Sequence, residues 1–441
     1  MKYSQFNTFQ PYDDKILAYN AFTDKYLLLE HMLYDIILSA KANNNIEEIE
    51  EVHPDFYNAL YNDGFIVPAD VDEIDKVRAL MNSVDNRNDS YRLIINPTMN
   101  CNFKCWYCYE THIKESKMDT DTIDRTVLFM DNTLTNNPSI KTFFLSFFGG
   151  EPLLYYQQTV LPLLQQCGAI AEKHQVEFGA DFTTNGLLLS PEMAKQMKEL
   201  KVTSFQITLD GNREKHNLVR YVSKSRGSYD EIMKNIYLIA ETGFNVTVRV
   251  NYTEANLDGL EEVLDDLSGL SNNAKKNVHV SLQKVWQEEN QGLSDKVNQF
   301  MELVKQLGFG TSHFILADNV RYSCYADKKN HATINYNGEV FKCTARDFNS
   351  ENREGILTEG GEIEWNQKYL TRIEAKLKNK PCLECAILPI CGGGCSQKAM
   401  ENLGKDYCVN FFDEDRKKSI VLSRFHTIAE EYMASTEEVE E

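Results

Sequence analysis

Between Arg92 and Val285 the chain alternates short β-branched and aromatic runs with amphipathic stretches, and this repeat restricts the fold more than any other feature. The extended runs are Arg92 to Pro97, Thr142 to Phe148, Glu177 to Thr184, Thr203 to Leu209, Phe244 to Asn251 and Asn277 to Val285. Helical periodicity fills the gaps, over Asp119 to Thr135, Tyr155 to His174, Ser190 to Leu200, Tyr229 to Thr242 and Asn256 to Leu267. Strands joined through helices pair in parallel, because a crossover must return to the same sheet edge. The pattern predicts an α/β fold, a partial (β/α)6 TIM-like barrel two units short of the closed eightfold form. Its site is expected at the C-terminal strand ends, where polar and glycine motifs collect.

A chain of 441 residues has room for this catalytic layer and smaller appendages, so two or three domains are expected. The polar start MKYSQFNTFQ has no apolar signal core, and nothing downstream reaches the ~18 apolar residues of a spanning helix. A cytoplasmic protein with no membrane partner is the expectation. The formal charge of -20 opposes binding to phosphate backbones and anionic lipid, which argues against nucleic acid as a partner.

Residues 1 to 85 hold two strand-like runs (Tyr3 to Phe9, Lys15 to Phe22), an apolar helix near Tyr26 to Ala40, a second near Asp55 to Asn62 and a short strand, Gly64 to Pro68. This resembles a small winged-helix module, whose other readings are nucleic-acid binding or a structural cap. With 16 acids against 6 bases, a net of -10, the segment is poorly suited to DNA. Asn82 to Ser90 reads as a linker, and the acidic end Thr436 to Glu441 as disordered. Domains are therefore expected at 1–85, 90–310 and 311–441.

Eleven cysteines without a secretion signal point to metal or redox chemistry. Cys101, Cys105 and Cys108, spaced C-x3-C-x2-C, follow the first strand of the repeat. Three thiolates leave one iron of a four-iron cubane open to a further ligand. A zinc site completed by His112 is the alternative. Cys167 lies on an amphipathic stretch and reads as a core thiol. The remaining seven run Cys324-x13-Gly338-x4-Cys343, then Cys382-x2-Cys385-x5-Cys391-x3-Cys395, then Cys408, in a segment with little periodicity, where metal sites replace a core.

The first cysteine motif resembles that of radical S-adenosylmethionine (SAM) enzymes, whose methionine amino and carboxylate groups chelate the open iron. Gly149-Gly150-Glu151-Pro152, after the second strand, resembles the family's GGEP motif, which receives the methionine ammonium. Thr183-Thr184-Asn185-Gly186 and Thr208-Leu209-Asp210-Gly211, after the third and fourth strands, resemble its segments around the ribose and methionine. Asn185 is the foremost candidate there, with Thr208, Asp210 and Arg220 beside it and Arg249 and Asn251 as less specific strand-end polar groups. The seven later cysteines resemble the SPASM domain, the C-terminal module of peptide-modifying relatives that carries two auxiliary clusters.

The resemblance implies three [4Fe-4S] clusters and SAM as cofactors. Cys382, Cys385, Cys391 and Cys408 would hold the outer auxiliary cluster, and Cys324, Cys343 and Cys395 the inner one, with Asp318 or Asp327 as candidates for its missing ligand. It also implies reductive cleavage of SAM, hydrogen abstraction by a deoxyadenosyl radical, and a thioether or carbon–carbon crosslink closed in a ribosomally made precursor peptide. The partners implied are that peptide, whose leader would add a strand to the N-terminal module, and an electron donor such as flavodoxin or ferredoxin. One alternative is an anaerobic sulfatase maturase, which forms formylglycine. It places an aspartate after the cysteine matching Cys343, where this chain has Thr344, with Asp347 three residues on. A non-enzymatic metal-binding protein is the other. No catalytic acid or base is singled out.

Overall fold

The computed structural model describes residues 1–223, 225–288, 293–311 and 318–437. Two compact units emerge, one of residues 88–314 and 330–369, the other of 1–87, 315–329 and 370–441.

The first unit is built on an eleven-stranded sheet. Its strands are β1 (Ser90–Asn96), β2 (Thr142–Phe147), β3 (Glu177–Thr184), β4 (Val202–Leu209), β5 (Asn245–Tyr252), β6 (Val278–Lys284), β7 (Gly310–Thr311), β8 (His331–Asn335), β9 (Glu339–Phe341), β10 (Gly355–Leu357) and β11 (Ile363–Trp365). The spatial order is β7-β6-β5-β4-β3-β2-β1-β8-β9-β10-β11. From β7 to β8 every pairing is parallel, and β8 to β11 form an antiparallel extension. The six runs expected from the sequence are β1 to β6, so a largely parallel α/β sheet with all six C-terminal strand ends on one edge is present. Its core is apolar, including Leu93, Leu145, Phe182, Ile207 and Val248 from successive strands and the thiol of Cys167. The extension β8 to β11 lies in the segment expected to lack periodicity. Its strands are three to five residues long, too short to display alternation.

Two helices depart from expectation. The stretch Asn256 to Leu267 is split into Glu254–Leu257 and Glu261–Leu267, with Gly259 between them at φ +86°. Tyr155 to His174 begins with a single wide turn, Tyr156–Val160, before the regular helix Leu161–His174.

In the second unit a three-stranded antiparallel sheet, Asn7–Tyr12, Lys15–Asn20 and Lys25–Leu29, is followed by helices His31–Ala42, Glu47–Val52, Pro54–Asn62 and Glu73–Asp85. The helix expected from Tyr26 starts only at His31, because Tyr26 to Leu29 pair with Ile16 to Tyr19 across a turn in which Asp24 takes φ 59°. Asn82 to Asp85 are the last turn of a helix rather than linker. Asp72 caps that helix through the Asp75 amide, and Val77 and Met81 bury one of its faces. Helix Glu414–Glu437 continues into the segment expected to be disordered, and residues 438–441 lie outside the described residues.

Candidate active site

The loop after β1 carries Cys101, Cys105 and Cys108, and two sets of hydrogen bonds fix its course. Thr98 and Ser116 pair through their hydroxyls across its base, while the Met99 amide donates to Ser116 Oγ at 2.9 Å. The loop after β2 runs alongside it, with the Gly150 amide donating to Thr98 O at 3.1 Å and the Glu151 amide to Asn100 O at 2.9 Å. This approach demands glycine twice. A Cβ at Gly149, already at φ +90°, would lie 2.7 Å from Thr98 O, and one at Gly150 would lie 2.2 Å from Asn100 O. The glycine pair thus packs one motif against the other.

Glu151 is fully buried and does not line the cavity between these loops. Its Oε1 accepts from the Thr184 hydroxyl at 2.7 Å and the Leu153 amide at 3.0 Å, and its Oε2 from the Asn185 amide at 2.8 Å. Burial pushes its carboxyl up, opposed by these hydrogen bonds. The carboxylate therefore fastens the end of β3 beneath the cysteine loop. Asn185 itself faces the cavity, with Nδ2 donating to Asn102 Oδ1 at 2.7 Å.

Strands β4 and β5 supply a charged wall. Asp210 is 1% exposed, with both oxygens occupied: Oδ1 by the Tyr107 hydroxyl and Oδ2 by Arg220 Nε. Arg220 Nη2 also donates to the Tyr107 oxygen at 2.8 Å, as does Asn251 Nδ2 at 3.0 Å. Tyr107, between Cys105 and Cys108, is the hub of this network. His216 braces it from behind, accepting from the Asp210 amide and contacting Ser228. Burial and the Arg220 charge lower its ring pKa to about 3, so it is neutral.

The cavity between these loops has a volume of about 180 Å³ and opens to solvent. Cys101, Cys105, Cys108, Gly149, Gly150 and Asn185 border it on one side, and Thr208, Arg220 and Arg249 on another. Tyr109 and Trp286, stacked at 5.9 Å, are exposed and also line it. Burial, reinforced by Glu151, pushes the Cys101 thiol up to about 12, whereas Cys108 is exposed. A thiol raised in this way stays protonated unless a metal takes the proton's place. Three free thiols around one open cavity fit a cluster that leaves one coordination position to a ligand. His112 lies against Cys108, Nε2 to Sγ 3.5 Å.

One group, Glu110, escaped the sequence reading, whereas Asp347 was weighed there only as the acid three residues past Thr344. Glu110 lines the cavity, raised to about 8 by burial and by Asp347. Asp347 binds the Thr111 amide and hydroxyl at 2.8 and 2.7 Å and so is tied to the cysteine loop.

The Radical SAM superfamily profile matches residues 95–267, which span these motifs. The chain is a radical SAM enzyme. An uncharacterized protein of Methanocaldococcus jannaschii is 24% identical over 64% of this chain and 93% of its own length. Mycofactocin maturase MftC of Mycolicibacterium smegmatis is 27% identical, over 37% of this chain and less than half (38%) of its own. Among solved structures, anSMEcpe with bound AdoMet and a Cp18Cys peptide superposes with a TM-score of 0.57 at 16% identity, covering 77% of this chain and 98% of that one. SuiB of Streptococcus suis, bound to S-adenosylmethionine, gives 0.52 at 16% identity, covering 92% and 98%. These likenesses are of fold.

In the other unit of this radical SAM enzyme, Cys382, Cys385, Cys391 and Cys408 line one small cavity. Asn379 Nδ2 donates to Cys382 Sγ at 2.9 Å. Cys324 and Cys395 belong to the same unit, and Cys343 to the sheet unit. Neither aspartate suggested as an extra ligand is uncommitted. Asp318 accepts from Arg321 and its backbone neighbours, and Asp327 accepts from Lys376 Nζ at 3.0 Å and the Ser396 amide at 3.1 Å. Among the described residues, no helix is long and apolar enough to cross a membrane.

Proposed function

We propose that this radical SAM enzyme modifies a ribosomally made precursor peptide and closes an oxidative crosslink in it, a thioether or a carbon–carbon bond. The observation that carries the reading is the cavity itself. Three thiols from one loop border it, a glycine pair and Asn185 stand beside them, and an exposed aromatic pair also lines it. The maturase among the relatives and the peptide bound to anSMEcpe support a peptide substrate.

Cys101, Cys105 and Cys108 would hold one [4Fe-4S] cluster, which together with bound SAM would supply the radical chemistry for hydrogen abstraction from the substrate. The protein's own part is positional. Glu151 holds Asn185 toward the cavity, and Tyr107 and Asp210 orient Arg220, so that SAM is met by preset donors. In this proposal Cys382, Cys385, Cys391 and Cys408 carry one auxiliary cluster and Cys324, Cys343 and Cys395 another, to take up the electron left after crosslinking. The segment 1–85 would take the leader as an added strand, the C-terminal region from 311 would be the SPASM domain, and a flavodoxin or ferredoxin in the cytoplasm would supply electrons.

The test is the intact mass of a short peptide encoded beside the gene, after anaerobic coexpression with the enzyme or its Cys105→Ala variant. Loss of two hydrogens per modification, absent with Cys105→Ala, is the expected result. An unchanged mass with clusters intact would turn the assignment toward formylglycine formation.

A further inference from the structure

Arg249 forms no salt bridge among the described residues. It stands on β5 directly beside Thr208 of β4 and lines the cavity. Its Nε donates to Asn251 Oδ1 at 2.9 Å, and no carboxylate among the described residues pairs with it. Asp210 has both oxygens engaged by Tyr107 and Arg220. Glu110, the acid that lines the cavity, is influenced by Asp347 and by no cation. Burial is the largest influence on the Arg249 charge and disfavours it, as does Arg220, against favourable attraction from Tyr109, Tyr107 and Asp210. Buried cations are ordinarily paired, because desolvation without a counter-ion is costly. A guanidinium kept in this condition beside an open cavity is suited to a planar, bidentate anion that arrives from outside.

The sheet order indicates which anion. The cysteine loop follows β1, and the glycine pair and Asn185 follow β2 and β3, whereas Arg249 lies on β5 and Lys284 ends β6, next to the exposed Trp286. Trp286, 63% exposed, follows β6, so the cavity lining on this side is open to solvent and a large substrate can approach Arg249 there.

We propose that Arg249 forms a subsite that anchors a carboxylate of the peptide substrate, an acidic side chain near the residue that loses hydrogen. The proposal rests on the peptide-modifying reading and adds the chemistry that substrate must carry. An Asp or Glu held at Arg249 would fix the peptide's register relative to the cysteine loop.

The reconstituted holoenzyme with SAM bound would be titrated calorimetrically with a terminally blocked hexapeptide containing two aspartates and with its asparagine counterpart. The wild type should prefer the aspartate peptide by about tenfold. Arg249→Gln should abolish the preference, and Arg249→Lys should retain part of it. Titration of both variants with SAM and with decarboxylated SAM separates the two carboxylate sources. If Arg249→Gln weakens SAM about tenfold or more and leaves decarboxylated SAM unaffected, the guanidinium serves the methionine carboxylate and the proposal is overturned. Equal binding of the two hexapeptides by the wild type also overturns it. Electron paramagnetic resonance of the reduced clusters checks that each variant is loaded. A loaded wild type that cleaves SAM yet modifies no peptide would instead refute the functional reading beneath it.

Discussion

Removing the Tyr107 hydroxyl strips a partner from Asp210, Arg220 and Asn251 together, all in the charged wall of the cavity. Tyr107→Phe keeps the ring, so packing is retained and only the network is tested. Leaving buried polar groups short of a partner costs about 1–3 kcal/mol. The variant should melt lower and should bind SAM about tenfold more weakly, since Arg220 loses part of its orientation, while the iron content stays that of the wild type. Calorimetry and iron analysis read these separately; unchanged SAM affinity would reduce the hub to a structural role. The contrast between Tyr107 and the cysteines shows what was legible in the sequence. Cys101, Cys105 and Cys108 declare their chemistry through local spacing, as Gly149 and Gly150 do through their pairing after a strand. Tyr107 and Glu110 stand in the same loop, but their meaning comes from Asp210, Arg220, Asn251 and Asp347, more than 100 residues away in sequence, and no local pattern encodes those partners. Glu151 was legible as part of a motif, whereas its burial beneath β3 was not.

At the scale of elements, strands β1 to β6 were readable because each has at least six residues, enough to show its period, whereas the two-residue β7 and the four strands after Asn330 were not. In the other unit one ion pair joins distant elements. Arg424, on helix Glu414–Glu437, is 4% exposed, and its guanidinium grips Asp24 in the turn between two N-terminal strands, Nε to Oδ1 2.7 Å, with Asp318 at 3.7 Å. Burial pushes the Asp24 carboxyl up, but the hydrogen bond and charge of Arg424 outweigh it and hold the group below the usual carboxylate range. Arg424→Ala leaves Asp318 buried with Arg321 as its remaining cation, and should destabilise this unit by about 3 kcal/mol, the lower end for a broken buried pair because Asp24 remains 26% exposed. The pH dependence has a fixed sign. A depressed carboxylate contributes its stability in full above its unfolded value of about 4 and loses it as pH falls through the folded value. The stability gap between wild type and Arg424→Ala in urea melts should therefore be constant near neutrality and shrink below about pH 4.

For the whole molecule, the N-terminal segment and the C-terminal helix belong to one folding unit although they lie at opposite ends of the chain. Sequence reading placed a separate module at 1–85 because local patterns cannot register contacts some 400 residues apart, such as the Tyr26 hydroxyl donating to Val421 O. The segment has two apolar clusters of different character. Ile16, Ile37, Ile49, Phe56 and Leu60 pack among themselves and need nothing beyond residue 87. Phe6, Tyr19, Val77 and Met81 instead pack against Val320, Ile387, Leu388, Ile390 and Val421, all supplied by later segments. A fragment of residues 1–87 should consequently keep native-like secondary structure from the first cluster while exposing the second as a contiguous apolar patch. Patches of that kind drive association, so the fragment should sediment as dimers or larger species. Replacing Tyr19 and Met81 by polar residues should return it to a monomer without loss of far-ultraviolet circular dichroism. A fragment that is monomeric without those changes would mean that the second cluster is closed by residues 1–87 alone, and that the N-terminal segment folds independently of the C-terminal helix.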